Sequence, residues 1–437
     1  MDPLFIGLIT VGLLFIAILL GVHVGVALAG VSAIGLWWIT GNFTIAIKLL
    51  GATSYRAIMD YVFAVVPMFV LMGLLANISG ASEDLYNSAN VLFARLRGGL
   101  GIATVFANAV FAAITGTSVA SAAVFSKISL PQMKRLGYDH KFALGTVAGS
   151  SVLGMLIPPS VLLIIYGILT EEAIGKLFIA GILPGIVLSI VFSVGIYLMV
   201  TMKPELGGER PTIEKIGAER YFRLLLKPWV FMILIAVVLG GMYLGFFTPT
   251  EAGATGAFGA FAVCLLKRKL TLQNLWRTLL EAGYTTSSVF FLLVSAQMYG
   301  RMLVISGLTA KTSTFVIGLH LPPLVIICLF LILFIILGAF LDSISILLVC
   351  IPLMFPVVEA FHYSLTWFGI ISIVALEMGF ITPPFGMVVY AMKAALMDEA
   401  SLEEIFIGSF PFVLMIFFAL AILVVFPWLS TWLPSLM

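Results

Sequence analysis

The chain has 437 residues, 62% of them hydrophobic and only 10% charged, and a formal net charge of +2 at pH 7. With a mean hydropathy of +1.21, it cannot be an ordinary soluble protein and reads as polytopic in the membrane. Its basic residues are spread over short loops rather than clustered, so no nucleic acid is expected as a partner.

Residues 4–20 and 22–39 are two apolar runs around a hinge at Gly21 and His23, and each can just cross a bilayer. No basic stretch precedes the first, so it is expected to be a span rather than a cleaved leader. His23 is expected to be packed or interfacial rather than a ligand. A polar connection with Lys48, Arg56 and Asp60 leads to a span over 61–80. Residues 81–97, with Ser82, Glu83, Asp84, Arg95 and Arg97, are amphipathic and expected at a surface.

Over 98–131 the two ends are apolar, but the centre is small and polar: Thr115-Gly116-Thr117-Ser118-Val119-Ala120-Ser121. Such a centre is wrong for one lipid-facing helix and fits two half-helices meeting at a re-entrant tip. A basic loop comes next at 134–141, then a span over 141–169 interrupted by Gly154-Met155-Leu156-Ile157-Pro158-Pro159-Ser160. Proline removes a backbone donor and disfavours helix in the residue before it, so carbonyls near the break lose their partners. At membrane depth this is tolerated only where the backbone is buried in protein or lines a polar cavity. A turn with Glu171 and Glu172 and a span over 177–202 close the first half.

Segment 203–227 carries Lys203, Arg210, Lys215, Arg220, Arg223 and Lys227 and is expected to be a cytoplasmic linker between halves 1–202 and 228–437. Spans over 228–247 and 252–266 lead to Lys267-Arg268-Lys269, a surface segment, and a span over 284–307 that contains Arg301. A second hairpin pattern covers 322–358, with Gly338-Ala339-Phe340-Leu341-Asp342-Ser343-Ile344-Ser345 at its tip. The span over 366–393 is interrupted by Gly379-Phe380-Ile381-Thr382-Pro383-Pro384-Phe385, and a last span covers 405–433. Cys264, Cys328 and Cys350 lie in apolar runs without metal-ligand spacing and read as small core residues.

Shifting the chain by 225 residues superposes Ser118 on Ser343, Gly154 on Gly379 and Pro158-Pro159 on Pro383-Pro384. A shift of 227 superposes Gly73 on Gly300 and Gly181 on Gly408. Ordered matches on the helix breakers at nearly constant offset indicate an internal duplication. With the loops at 134–141, 203–227 and 267–277 in the cytoplasm, the spans alternate, the two hairpins open from opposite sides, and both termini lie outside the cytoplasm. The expected fold is therefore all-α, with two inverted-topology repeats, each with a re-entrant hairpin and a broken helix, enclosing a midplane site as in secondary transporters.

Helix ends at a break offer carbonyls to a hard cation such as Na+ and N–H groups to an anion. The expected Na+ ligands are Thr115, Ser118, Ser121, Ser151 and Gly154 around the first break, with Ser150 nearby, and Asp342, Ser345, Glu377, Gly379 and Thr382 around the second. Asp342 is the sharpest of these, because a carboxylate near the bilayer centre costs several kcal/mol unless a cation or water meets it. Arg301 could grip a substrate carboxylate, or else snorkel or pair with Asp342 or Glu377. Thr117, Ser118, Ser343, Pro159 and Pro384 are the remaining expected substrate contacts. No HExxH, nucleophile elbow or Walker loop is present, which speaks against an enzyme or an ATP-driven pump.

Four motifs, the first tip, Leu156-Ile157-Pro158-Pro159-Ser160, Leu341-Asp342-Ser343, and Glu377 to Gly386, closely resemble the large membrane subunit (DctM type) of tripartite ATP-independent periplasmic (TRAP) transporters, in order and over essentially the whole chain. The first tip has Thr117 and Ser118 where paired serines are common in that family. The resemblance implies an elevator-type Na+ symporter of the bacterial inner membrane. Hairpins and broken helices would slide against a scaffold that includes about residues 1–80. It also implies a carboxylate substrate such as a C4-dicarboxylate or sialic acid, a periplasmic binding protein (DctP type) that delivers it, a separate four-helix small subunit (DctQ type), and membrane lipid around the spans. The alternatives are a stand-alone anion:Na+ or anion:H+ elevator symporter and, more remotely, an intramembrane enzyme.

Overall fold

The computed structural model describes residues 2–59, 61–208 and 224–437. Asp60 and the linker residues Arg210, Lys215, Arg220 and Arg223 lie outside the described residues. Regular structure within them is helical, apart from one isolated bridge between Tyr138 and Gly207. Seven helical stretches among the described residues are long and apolar enough to cross a membrane.

The first group of helices is α1 (Pro3–Leu19), α2 (Val24–Thr40), α3 (Phe43–Met59) and α4 (Val65–Ile78), joined by α5 (Ala81–Phe93) to the first hairpin. Here the structure corrects the sequence reading, because the polar connection holding Lys48 and Arg56 is helix α3. Its charges sit on exposed positions while Ala46, Leu50 and Ala57 are buried, spaced by about one and two turns. The surface segment expected before residue 284 is likewise part of one helix (Leu272–Ile305), which starts at the Thr271 cap. Between that helix and the second hairpin lies a further helix over Leu308–Gly318.

The helices are interrupted at both polar tips and at both Pro-Pro pairs. α6 (Gly99–Thr115) and α7 (Ser118–Arg135) meet at Gly116-Thr117, and α8 (His140–Ser151), followed beyond Val152 by the short α9 (Leu153–Leu156), is separated from α10 (Val161–Thr170) at the Pro158-Pro159 break. After α11 (Ile174–Met202), helices α12 (Trp229–Tyr243), α13 (Pro249–Leu266), α14 (Leu272–Ile305) and α15 (Leu308–Gly318) precede the second hairpin. That hairpin is α16 (Pro323–Gly338) and α17 (Ser343–Ala360). α18 (Leu365–Gly379) and α19 (Met387–Leu396) flank the second break, and α20 (Leu402–Val425) and α21 (Trp428–Thr431) complete the chain. Both Pro-Pro bonds are cis.

Burial separates the helices that form the interior from those that line it. Every residue of α18 from 366 to 379 is buried, as is α8 from 142 to 151, and a helix apolar on all sides belongs in a packed centre. α16 is as apolar but buries only Ile326, Ile327, Leu331, Phe334 and Gly338, and exposes Leu329, Ile332, Leu333 and Ile336 as a lipid-facing helix does. The halves interlock reciprocally. α19, beyond the second break, packs on α7 of the first hairpin, and α10, beyond the first break, packs on α17 of the second. Around this centre α13 packs on α4, and α14 packs on α2, α3 and α4.

Candidate functional site

The first tip is seated on the first break by two glycines. α6 ends where the Gly116 N–H bonds the Ala112 carbonyl, with Gly116 in the left-handed region at φ +64°. A Cβ there would stand 2.6 Å from the Pro159 carbonyl oxygen, so both the turn and the close approach require glycine. From the other side, a Cβ on Gly154 would stand 2.6 Å from the Thr117 oxygen and 2.8 Å from the Ser118 nitrogen. Tip and break therefore meet backbone to backbone.

The second pair meets in a related way. A Cβ on Gly379 would lie 2.7 Å from Gly338 Cα, and the Phe385 N–H donates to the Ala339 carbonyl at 3.1 Å. Asp342 caps α17: its Oδ2 accepts from the Ser345 N–H at 2.9 Å and its Oδ1 from the Ser345 hydroxyl at 2.5 Å. The two breaks differ in exposure, since Pro158, Pro159 and Ser160 are buried while Pro383, Pro384 and Phe385 are exposed.

Glu377 ties the two pairs together. It lies in the last turn of α18, is fully buried, and its Oε2 accepts a 2.5 Å hydrogen bond from the Ser118 hydroxyl of the first tip. The Ser343 hydroxyl of the second tip lies beside the same carboxyl group. It closes no hydrogen bond of ordinary geometry, and Ser343 Oγ, Glu377 Oε1 and the nearby Ser121 Oγ are all buried without a partner. One carboxyl group thus sits between hydroxyls from both tips, with oxygen valence to spare.

The other hydroxyls expected here donate to carbonyls of their own helices. Thr115 bonds Phe111, Ser151 bonds Val147, and Thr382 bonds Met378, at 3.1, 2.6 and 2.7 Å. Ser160 donates to the Met155 carbonyl at 2.5 Å and caps Leu163. A hydroxyl that donates in this way keeps its lone pairs and can still accept a cation. Sequence reasoning missed Asn108, whose Nδ2 bonds the Ser150 hydroxyl at 2.6 Å while its buried Oδ1 lacks a partner. The available signal was an amide in the middle of an apolar hairpin arm. Among the described residues no three His, Cys, Asp or Glu side chains gather as a metal cluster. An ion at this centre would be held by hydroxyl, carbonyl and single carboxylate oxygens, a donor set for hard cations.

Arg301 is not brought to the tips. It is exposed on α14 and lines a pocket of about 640 Å³ with Arg56 and Glu171, and it pairs with neither Asp342 nor Glu377.

Buried polar groups gathered where two tips meet two interrupted helices, inside an apolar helical body, define a membrane carrier. The chain belongs to a transporter family: residues 11–429 match the tripartite ATP-independent periplasmic transporter, DctM component. It is 31% identical over 393 residues to a C4-dicarboxylate TRAP transporter large permease from Pseudomonas aeruginosa, covering 90% of this chain and 89% of that one. It is 30% identical over 378 residues to a sialic acid TRAP transporter large permease from Vibrio cholerae, covering 86% and 87%. Among solved structures, the YdaH transporter of Alcanivorax borkumensis shares the fold with a TM-score of 0.62 at 13% identity, over 87% of this chain and 89% of that one. The protein is thus a TRAP transporter large permease and not an enzyme.

Proposed function

We propose that this permease carries out Na+-coupled uptake of a small carboxylate by an elevator movement. The observation that carries the reading is the Glu377 carboxyl group, buried between Ser118 and Ser343 with one oxygen unpartnered. A carboxylate taken out of water is costly unless a cation compensates it. One Na+ would sit between the first tip and the first break, at oxygens of Thr115, Ser118, Ser121, Ser151 and Gly154, and another between the second tip and the second break, at Glu377, Asp342, Ser345, Gly379 and Thr382, and together they would supply that charge. The anion would then meet N–H groups and hydroxyls at Thr117, Ser118, Ser343, Pro159 and Pro384. Coupling arises from charge and order together: cations at both tips offset the anion's charge and order the tips, so the loaded domain can cross when the half-loaded one cannot.

The halves 1–202 and 228–437 would be inverted repeats, with α5 to α10 and α16 to α19 forming the moving body and α1 to α4 and α12 to α14 the scaffold. The P. aeruginosa and V. cholerae relatives are named for a C4-dicarboxylate and sialic acid, both carboxylates, which supports that substrate class here. On the same footing the protein would lie in a bacterial inner membrane with both termini periplasmic, beside a four-helix small subunit, and take substrate from a periplasmic binding protein. The test is C4-dicarboxylate uptake into proteoliposomes containing the partner chains, with and without an inward Na+ gradient. Uptake indifferent to the gradient would sink the coupling, and full uptake without a binding protein would make this a stand-alone symporter.

A further inference from the structure

The pocket around Arg301 is a second polar place in an apolar body, and it is separate from the tips. Arg56 of α3 and Arg301 of α14 both line its 640 Å³, and among the described residues neither forms an ion pair or a side-chain hydrogen bond. Among the described residues Glu171 is the one carboxylate in the lining, beside two guanidinium groups. The Thr309 hydroxyl in the same wall is buried without a partner. Pro352 and Phe355 of α17 close the opposite side, so the pocket lies between α3 and α14 on one hand and a hairpin arm on the other.

Two further facts set its place. Gly300, in the lining, has no atom within 4 Å of where a side chain would begin, whereas its counterpart by the 227 offset, Gly73, packs tightly on Ile114 and Thr115. The second half thus leaves open a position that the first half fills. Pro352 lies nine residues beyond Ser343, roughly 14 Å along the helix axis, so pocket and tip are successive stations on α17.

We infer that Arg56 and Arg301 form a separate anion station that binds small dicarboxylates without Na+, ahead of the Na+-linked site at the tips. This rests on the carrier reading above. Guanidinium groups present paired donors that match a carboxylate, and an apolar wall strengthens the attraction. Each guanidinium group can take one carboxylate of a diacid, whereas a monoacid leaves one of the two unmatched. The volume is ample for a four-carbon diacid and several waters.

The experiment is calorimetric titration of succinate, with propionate as the single-charge control, into the purified permease in Na+-free buffer. Succinate is expected to bind and propionate to bind at least about tenfold more weakly, the worth of one lost charge-assisted contact. Arg56→Gln and Arg301→Gln should each weaken succinate about tenfold or more, while the Lys variants keep part of the affinity. Thr53→Asp, which places a carboxylate three residues before Arg56 on its helix, should compete for that arginine even if a Gln variant fails to fold. The inference is overturned if wild-type protein binds no succinate without Na+, if binding survives both Gln substitutions, or if the pocket takes phosphatidylglycerol and not succinate. Failure of Na+-driven uptake with this binding intact would instead fault the coupling mechanism.

Discussion

The Ser118 hydroxyl donates a 2.5 Å hydrogen bond to the carboxylate of Glu377, 259 residues further along the chain. The bond joins the first hairpin tip to the helix that leads into the second break, so it is the shortest polar link between the two halves of the site. Ser118→Ala would leave a buried carboxyl oxygen without its donor, at a cost of about 1–3 kcal/mol. The expected result is an apparent Na+ affinity for uptake weakened about tenfold, with Glu377→Gln removing Na+ stimulation altogether. A double-mutant cycle checks this, because residues in direct contact should be non-additive by about 0.5–3 kcal/mol. Additive effects would mean that the two groups act separately.

Asp342 can be tested for its two roles, cap and ion ligand, by choice of substitution. As the cap of α17 it accepts from the Ser345 N–H, and an asparagine can do the same. Asp342→Asn should therefore hold thermal stability near that of the parent, while Asp342→Ala lowers it by about 0.5–2 kcal/mol. If the charge also serves Na+, the Asn variant loses Na+ activation while keeping its melting temperature. Unchanged Na+ activation would leave Asp342 as a helix cap alone.

The tips and breaks were readable because their chemistry contradicts their surroundings. Pro158, Pro383 and the polar run 115–121 have no place in a continuous lipid-facing helix, and the structure interrupts its helices there. Two other features were hidden for physical reasons. α3 carries enough charge to look like a connection, yet its packing on α2 and α14 supports it as a helix, while the exposed start of α14 extends a helix whose buried positions come mostly from Val289 onward, and the hydropathy of a window registers neither. The Ser118–Glu377 link was hidden because the repeat aligns each tip with its own break. It does not say that a carboxyl group from one break reaches the other half's tip. Arg301, left open by the sequence between a substrate contact and a snorkelling or paired cation, lines a pocket with residues of α3 and α17.

Lys267 fixes the end of α13 to the start of α5. Its Nζ lies 2.6 Å from Asp84 Oδ2 and 4.8 Å from the centroid of the Phe231 ring, and Lys227 adds a longer contact to Asp84 at 3.9 Å. Both Lys267 and Asp84 are partly shielded, so the pair should contribute more than a fully exposed one. Lys267→Met keeps the apolar stem and removes the charge, and a loss of about 1 kcal/mol is expected. Melting curves at low and high salt test the cause. The parent should lose stability as salt rises while the Met variant does not, and equal salt responses would show that the stem and not the charge matters.

Gly379 and Gly338 set how closely the second tip can approach the second break. Each would place a new Cβ within 3 Å of the facing backbone: Gly379 at 2.7 Å from Gly338 Cα, and Gly338 at 2.8 Å from the Leu376 oxygen. Backbone cannot swing aside as a flexible side chain does, so Gly379→Ala must push the hairpin away from α18. Overpacking of this kind typically costs about 1–3 kcal/mol. The displacement also moves Ser343 away from Glu377, which lies two residues before Gly379 in the same helical turn. The expected outcome is therefore a double loss, in thermal stability and in Na+-stimulated uptake. Gly300→Ala provides the contrast, since nothing lies within 4 Å of a Cβ there and α-helical alanine is favoured over glycine by up to about 1 kcal/mol. It should keep or raise stability and leave Na+ stimulation intact. If Gly379→Ala is tolerated as well as Gly300→Ala in both measurements, the close backbone contact does not organise the site.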